Sequence, residues 1–198
     1  MPHIDYYFTP LSPFAYLAGD GLERIAARHG ATIAWKAIDL GRAMSEAGGL
    51  PVGKRHWSRQ EYRLQELPRL AKRAGLPITL HPKHWPTDPT RAVSAILAAD
   101  AAGGGDVGLL SRRLLAACWA EEKNIADPEV VELCLRAAGF DPAALDHEAA
   151  AARIGPLTDE AIERGVFGAP FYIVAETGQK FWGQDRLDHL DDHLAGKI

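Results

Sequence analysis

With 198 residues, 47% of them hydrophobic and 24% charged, the chain has the composition of an ordinary globular protein: one domain, or one domain carrying a large insertion. A net charge of -4 gives no electrostatic case for nucleic acid, and no stretch is both long and apolar enough to cross a bilayer. The opening Met1-Pro2-His3-Ile4-Asp5 lacks the basic and apolar regions of a signal peptide, so a cytoplasmic location is expected. Cys118 and Cys134 lie in apolar helical patterns without Cys-x-x-Cys spacing, and read as buried thiols rather than a disulfide, metal or redox pair.

Taken in chain order, Ile4 to Phe8 is a short apolar run that stops at Thr9-Pro10, which predicts a buried strand followed by a loop. Ser12 then precedes Pro13. Serine is a favoured N-cap and proline a favoured first helical residue. A helix is therefore expected whose apolar face starts at Phe14, Tyr16 and Leu17, continues through Leu22, Ile25 and Ala26, and closes at Gly30. Thr32 to Ile38, rich in β-branched and aromatic residues, reads as a second strand. A strand, helix and strand within about 40 residues form a βαβ unit with parallel strands.

From Asp39 to about Thr158 the pattern predicts helices and no strand. Leu40 to Lys54 is glycine-rich and reads as irregular; Ser58 and Glu61 form a capping box for a helix that stops at Gly75. Leu80 to Pro86 reads as a loop carrying His81, His84 and Trp85. Asp88-Pro89, Asp127-Pro128 and Asp141-Pro142 each set an acidic cap before a proline and predict three helix starts, with another helix from Val107 to Glu122. Thr158 to Gly165 reads as a helix, and Phe171 to Ala175 with Lys180 to Trp182 as a hairpin around Glu176-Thr177-Gly178-Gln179. Leu187, Leu190 and Leu194 mark the inner face of a last helix. This order is α/β: a thioredoxin-like βαβ…ββα core (1–40 with 158–198) and a large all-α domain (41–157) inserted between its halves.

Two stretches carry candidate chemistry. The Ser12 hydroxyl, at a helix start, stands where a thiolate or other anion is stabilised; its structural alternative is a cap alone. Pro170 enters a predicted strand, where it gives up a ladder donor. A cis Ala169-Pro170 bond would leave the Ala169 amide and carbonyl free for a peptide-like ligand, the structural alternative being an edge or a tight turn. His189 and His193, four apart beside Asp185 and Asp192, have a spacing compatible with metal, but a solvated C-terminal helix explains them equally and no metal is expected.

Leu11 to Ala18 (LSPFAYLA), Trp35 to Gly41 (WKAIDLG), Gly165 to Val174 (GVFGAPFYIV) and Phe181 to Leu190 (FWGQDRLDHL) span nearly the whole chain in this order. Together they resemble the glutathione-dependent 2-hydroxychromene-2-carboxylate isomerases, relatives of the kappa-class glutathione transferases. The resemblance implies a glutathione site made by Ser12, the Ala169-Pro170 backbone and the Gly183-Gln184-Asp185 turn. The serine hydroxyl, the catalytic group, donates to the sulfur; the residue before the proline pairs with the cysteinyl backbone; the acidic turn residue holds the γ-glutamyl end. Capping the last helix is the alternative for Asp185. The resemblance further implies a homodimeric enzyme of aromatic catabolism that converts 2-hydroxychromene-2-carboxylate to trans-o-hydroxybenzylidenepyruvate, and back, by transient thiolate addition. Contacts to this small aromatic carboxylic acid are expected from Gly53, Lys54 and Trp85, with Arg55, Arg42 and Arg59 as other cations for its carboxylate. Gly53 stands where an asparagine is common in the family. Competing readings are a kappa-like glutathione transferase or peroxidase, and a glutathione-binding module without catalysis. A thiol-disulfide oxidoreductase is rejected, because Ser12-Pro13-Phe14-Ala15 holds no cysteine.

Overall fold

In the computed structural model, which describes residues 1–198, β1 (His3–Phe8) pairs in parallel with β2 (Thr32–Ala37). On its other side β1 pairs antiparallel with β3 (Phe171–Val174), which pairs antiparallel with β4 (Lys180–Trp182), so the sheet order is β2-β1-β3-β4. Strand periodicity divides the side chains between two cores. Ile4, Tyr6 and Phe8 join Tyr172 and Val174 in the larger one, while Tyr7 joins Phe171 and Ile173 in the smaller. The sheet and its connections match the expected thioredoxin-like core.

Ser12 caps a helix as expected, but Gly19, at a φ of 57°, interrupts it, leaving α1 (Pro13–Leu17) and α2 (Gly21–His29). A left-handed residue cannot continue a right-handed helix. Gly30, also left-handed, closes α2. The stretch after β2 is more regular than its glycines suggest. Asp39 accepts a hydrogen bond from the Arg42 amide at 3.1 Å and starts α3 (Leu40–Glu46), followed by a 3₁₀ turn at Val52–Lys54. The long α4 (Trp57–Ala74) ends at Gly75 as expected, but its cap is His56, whose ring nitrogen accepts from the Ser58 amide; Ser58 and Glu61 lie inside the helix and form no capping box.

Asp88 binds the Thr90 amide at 2.9 Å at the start of α5 (Thr90–Ala102), which is buried from Ala92 to Ala99 and forms the centre of the inserted helices. Then α6 (Val107–Trp119) and α7 (Pro128–Ala137) start at Asp106 and Asp127. Asp141-Pro142 opens only a 3₁₀ turn; the true cap is Asp146, at the head of α8 (His147–Glu163). This helix passes through Pro156 and so includes the helix expected to begin at Thr158. A single helical rod therefore crosses residues 157 and 158. Before them Arg153 bonds to Leu97 O of α5; beyond them Glu160 meets Tyr7 and Lys36 of the sheet. The chain finishes with α9 (Leu187–Leu194), anchored by the buried Leu190. No helix is long and apolar enough to cross a membrane.

Candidate active site

The chain leaves β1 and turns at once, the Ser12 amide donating to Thr9 O at 3.0 Å. Ser12 has an extended backbone, and its Oγ accepts from the Ala15 amide at 3.2 Å, the bond an N-cap serine makes. The same hydroxyl donates to Ala169 O at 3.1 Å. The Ala169–Pro170 bond is cis, and Pro170 O accepts from the Gly183 amide at 2.9 Å. Two hydrogen bonds thus join the mouth of α1, the proline before β3 and the 183–185 turn, three segments far apart in the chain.

Two details differ from expectation. The Ala169 amide donates to no protein group, as anticipated, but the carbonyl is engaged, because Ser12 is buried and its proton needs an acceptor. The first helix has only five residues, so help for an anion falls chiefly to the hydroxyl and nearby amides rather than to a long helix dipole.

Gly183 has a φ of 111°, and a Cβ there would lie 2.4 Å from Asp185 Oδ1. Asp185 is exposed, pairs with Arg186 at 2.8 Å and caps nothing, so its alternative role at α9 is not found. Gln184 and Asp185 border an open groove of about 770 Å³ that Arg24, Arg28, Arg73 and Arg112 also line. A Cβ on Gly168 would lie 2.2 Å from Trp182 Nε1, so only glycine lets that indole lie against the approach to Pro170.

The expected substrate residues differ in their surroundings. Trp85 lies beside the site: its Nε1 donates to Leu11 O, next to Ser12, at 3.1 Å. Gly53 and Lys54 are exposed on their 3₁₀ turn, and no hydrogen bond or ion pair links Lys54 to Ser12 or Trp85. Arg42 is paired with Asp159, and Arg59 is exposed. Arg63, which the sequence reading does not single out, is 8% exposed, with its guanidinium carbon 5.3 Å from the Trp85 ring and 5.7 Å from the Trp119 ring. Tyr172 is a second omission. Its hydroxyl is buried without a partner, and burial first, then the charges of Tyr6 and Asp185, hold it well above the ordinary phenol range.

Comparison with known proteins bears on the family and the fold. The DSBA-like thioredoxin domain family matches residues 3–195. A 2-hydroxychromene-2-carboxylate isomerase of Pseudomonas putida is 30% identical over 96% of this chain and 93% of its own length. The chain belongs to both families. A solved 2-hydroxychromene-2-carboxylate isomerase superposes with a TM-score of 0.78 at 28% identity, covering 98% of this chain and 95% of that one. Glutathione S-transferase kappa 1 of Caenorhabditis elegans is 27% identical, over 98% of this chain and 91% of its own.

The two thiols of this isomerase-family chain are ill placed for chemistry. Both are buried; burial pushes Cys118 up to about 12, and raises Cys134 with help from the Glu121 charge. Neither thiol is poised to ionise.

Proposed function

We propose that the protein is a glutathione-dependent isomerase interconverting 2-hydroxychromene-2-carboxylate and trans-o-hydroxybenzylidenepyruvate. One observation carries this reading: Ser12 Oγ donates to Ala169 O and Gly183 N to Pro170 O, while the Ala169 amide itself is an unpaired donor beside a buried hydroxyl. An extended peptide alongside Ala169 gains that donor and the second lone pair of the carbonyl. Asp185 offers an exposed carboxylate to a cationic α-amino group. These residues fit a thiol tripeptide, and the kappa-class relative supports glutathione as its identity. Segments 1–40 and 158–198, taken as the thioredoxin-like domain, hold all of them, while the helical domain 41–157 contributes Trp85.

Held by Ser12, Ala169 and Asp185, glutathione would supply a thiolate nucleophile for the conjugated carbon of the substrate, whose double bond must become free to turn, and would be regained unchanged. Ser12 serves as a donor to that sulfur and not as a nucleophile. Its Oγ hydrogen-bonds only Ala15 N and Ala169 O, so no imidazole or carboxylate takes its proton. In the free protein the proton goes to Ala169 O; a thiolate is charged and draws it away more strongly. That bond favours the ionised thiol over the protonated form, whose ordinary pKa is near ~8.5.

The test is turnover of 2-hydroxychromene-2-carboxylate with and without glutathione, in wild type and Ser12→Ala. Turnover is expected only with glutathione, and the variant is expected to lose about 10²-fold in rate, as when one preorganised donor is removed. Equal rates would take Ser12 out of the mechanism. Loss of free glutathione in step with product would make the enzyme a kappa-like transferase instead.

A further inference from the structure

Arg63 lies on the face of α4 that carries Leu67 and Ala71, at four-residue spacing, and so points inward. It forms no ion pair and no hydrogen bond, and its Nη2 is buried without an acceptor. Trp119 Nε1, in the same cluster, is a second buried donor without an acceptor. The charge that bears on Arg63 belongs to another cation, Arg55, and no carboxylate offsets it. Two indole faces compensate a buried guanidinium only in part, because desolvation removes more than cation–π attraction returns.

A buried guanidinium of this kind is stabilised when an anion pairs with it. The half-buried Trp85 ring, 5.5 Å from the fully buried Trp119 ring behind it, supplies a flat apolar face, and a guanidinium offers a carboxylate two parallel N–H bonds. Trp85 also fixes where this occurs, through its bond to Leu11 O at 3.1 Å beside Ser12. Lys54, by contrast, is exposed and its charge is solvated.

We infer that Arg63 is the carboxylate anchor for an aromatic acid bound beside Ser12, with Trp85 forming a wall of the same site. The inference rests on the isomerase reading for which acid is bound, but not for the anion site itself. Arg63 is then a binding and specificity residue, distinct from the hydroxyl that serves the sulfur.

The experiment is calorimetric titration of the full chain, without glutathione, using salicylate as the probe and salicyl alcohol as its uncharged counterpart. Salicylate affinity is expected to fall about tenfold or more in Arg63→Met and by about threefold in Arg63→Lys, which keeps the charge but not the fork. Salicyl alcohol is expected to bind all three proteins alike. With the chromene acid as substrate, KM should rise in Arg63→Met while kcat changes less than about threefold. Salicylate binding equal in wild type and both variants overturns the anchor, as does wild-type binding no tighter than that of the alcohol. Should Arg63→Met fail to fold, Arg63→Lys decides alone: a fall in affinity supports the anchor and no change overturns it. Arg63-dependent salicylate binding without glutathione-dependent turnover keeps the anchor and removes the isomerase; turnover with an unchanged KM does the reverse.

Discussion

Two clusters of buried and half-buried charge differ in one respect that separates structural work from ligand binding. In the smaller core, Asp5, Lys36, Glu160 and Arg164 close on one another around Tyr7. Lys36 reaches Asp5 at 2.8 Å and Glu160 at 2.6 Å, the Tyr7 hydroxyl donates to Glu160 at 2.6 Å, and Arg164 bonds Asp5 and donates to the Tyr7 oxygen at 2.9 Å. In the larger core Arg63 sits over Trp85 and Trp119 and forms no ion pair. Cation and ring are present in both, since Lys36 also lies 5.3 Å from the Tyr7 ring centre. The counter-charge is what differs: two carboxylates answer two cations in the first cluster, and none answers Arg63 in the second. The closed cluster requires nothing from outside, and it holds α8 to the sheet. The open one is incomplete until an anion arrives.

The closed cluster is expected to be indispensable to the fold. Asp5→Ala leaves Lys36 and Arg164 partly buried and short of a partner, and is expected to lower stability by about 3 kcal/mol, roughly 10 °C in Tm. Thermal and urea unfolding measure it, and an unchanged Tm would mean that the network holds nothing together. The same residue predicts an acid limb. Burial alone would raise the Asp5 carboxyl, but hydrogen bonds from Lys36 and Arg164 outweigh it and keep it below its ordinary range; Glu160 follows the same pattern through Lys36 and Tyr7. A carboxyl depressed in the folded state contributes its full stability above its unfolded pKa, about 4 for aspartate, and loses it as pH falls through the folded value. Wild-type unfolding free energy should therefore drop with acid below about pH 4, and Asp5→Asn should be flatter in that window. A variant with the wild-type acid slope would assign the limb to other groups.

Local signals were readable in the sequence where one residue decides one conformation. Ser12 before Pro13, Gly30, Gly75 and Asp127 before Pro128 all mark real helix ends. Signals that depend on what the chain later packs against were not. Gly19 lies inside a helical pattern and Pro156 between two apparent helices, yet the first interrupts a helix and the second does not. The grouping of Ser12, Ala169 and Gly183 was legible through family resemblance, whereas the proton shared between Ser12 and Ala169 is a matter of distance alone. Arg63 left a trace, a cation four and eight residues from the inward-facing Leu67 and Ala71, but its isolation is defined by the lack of any ion pair or acceptor for its buried Nη2. That property cannot be read from a single stretch of chain.

The smallest expected effect tests the comparison from the other side, because its sign is opposite. Removing a charge from the closed cluster costs stability; removing Arg63 relieves an uncompensated one. Methionine keeps the aliphatic stem between the two indoles, so packing is largely retained, while the desolvation of the guanidinium disappears along with a cation–π attraction of about 2 kcal/mol or less. Arg63→Met is therefore expected to leave the ligand-free protein as stable as wild type or more so, by about 0.5 kcal/mol, roughly 2 °C in Tm. With saturating salicylate present the order should invert, because wild type binds the probe more tightly and gains more stability from it. A variant that melts well below wild type without ligand would show that Arg63 holds its two indoles in place for the fold's sake, and the two clusters would then be alike.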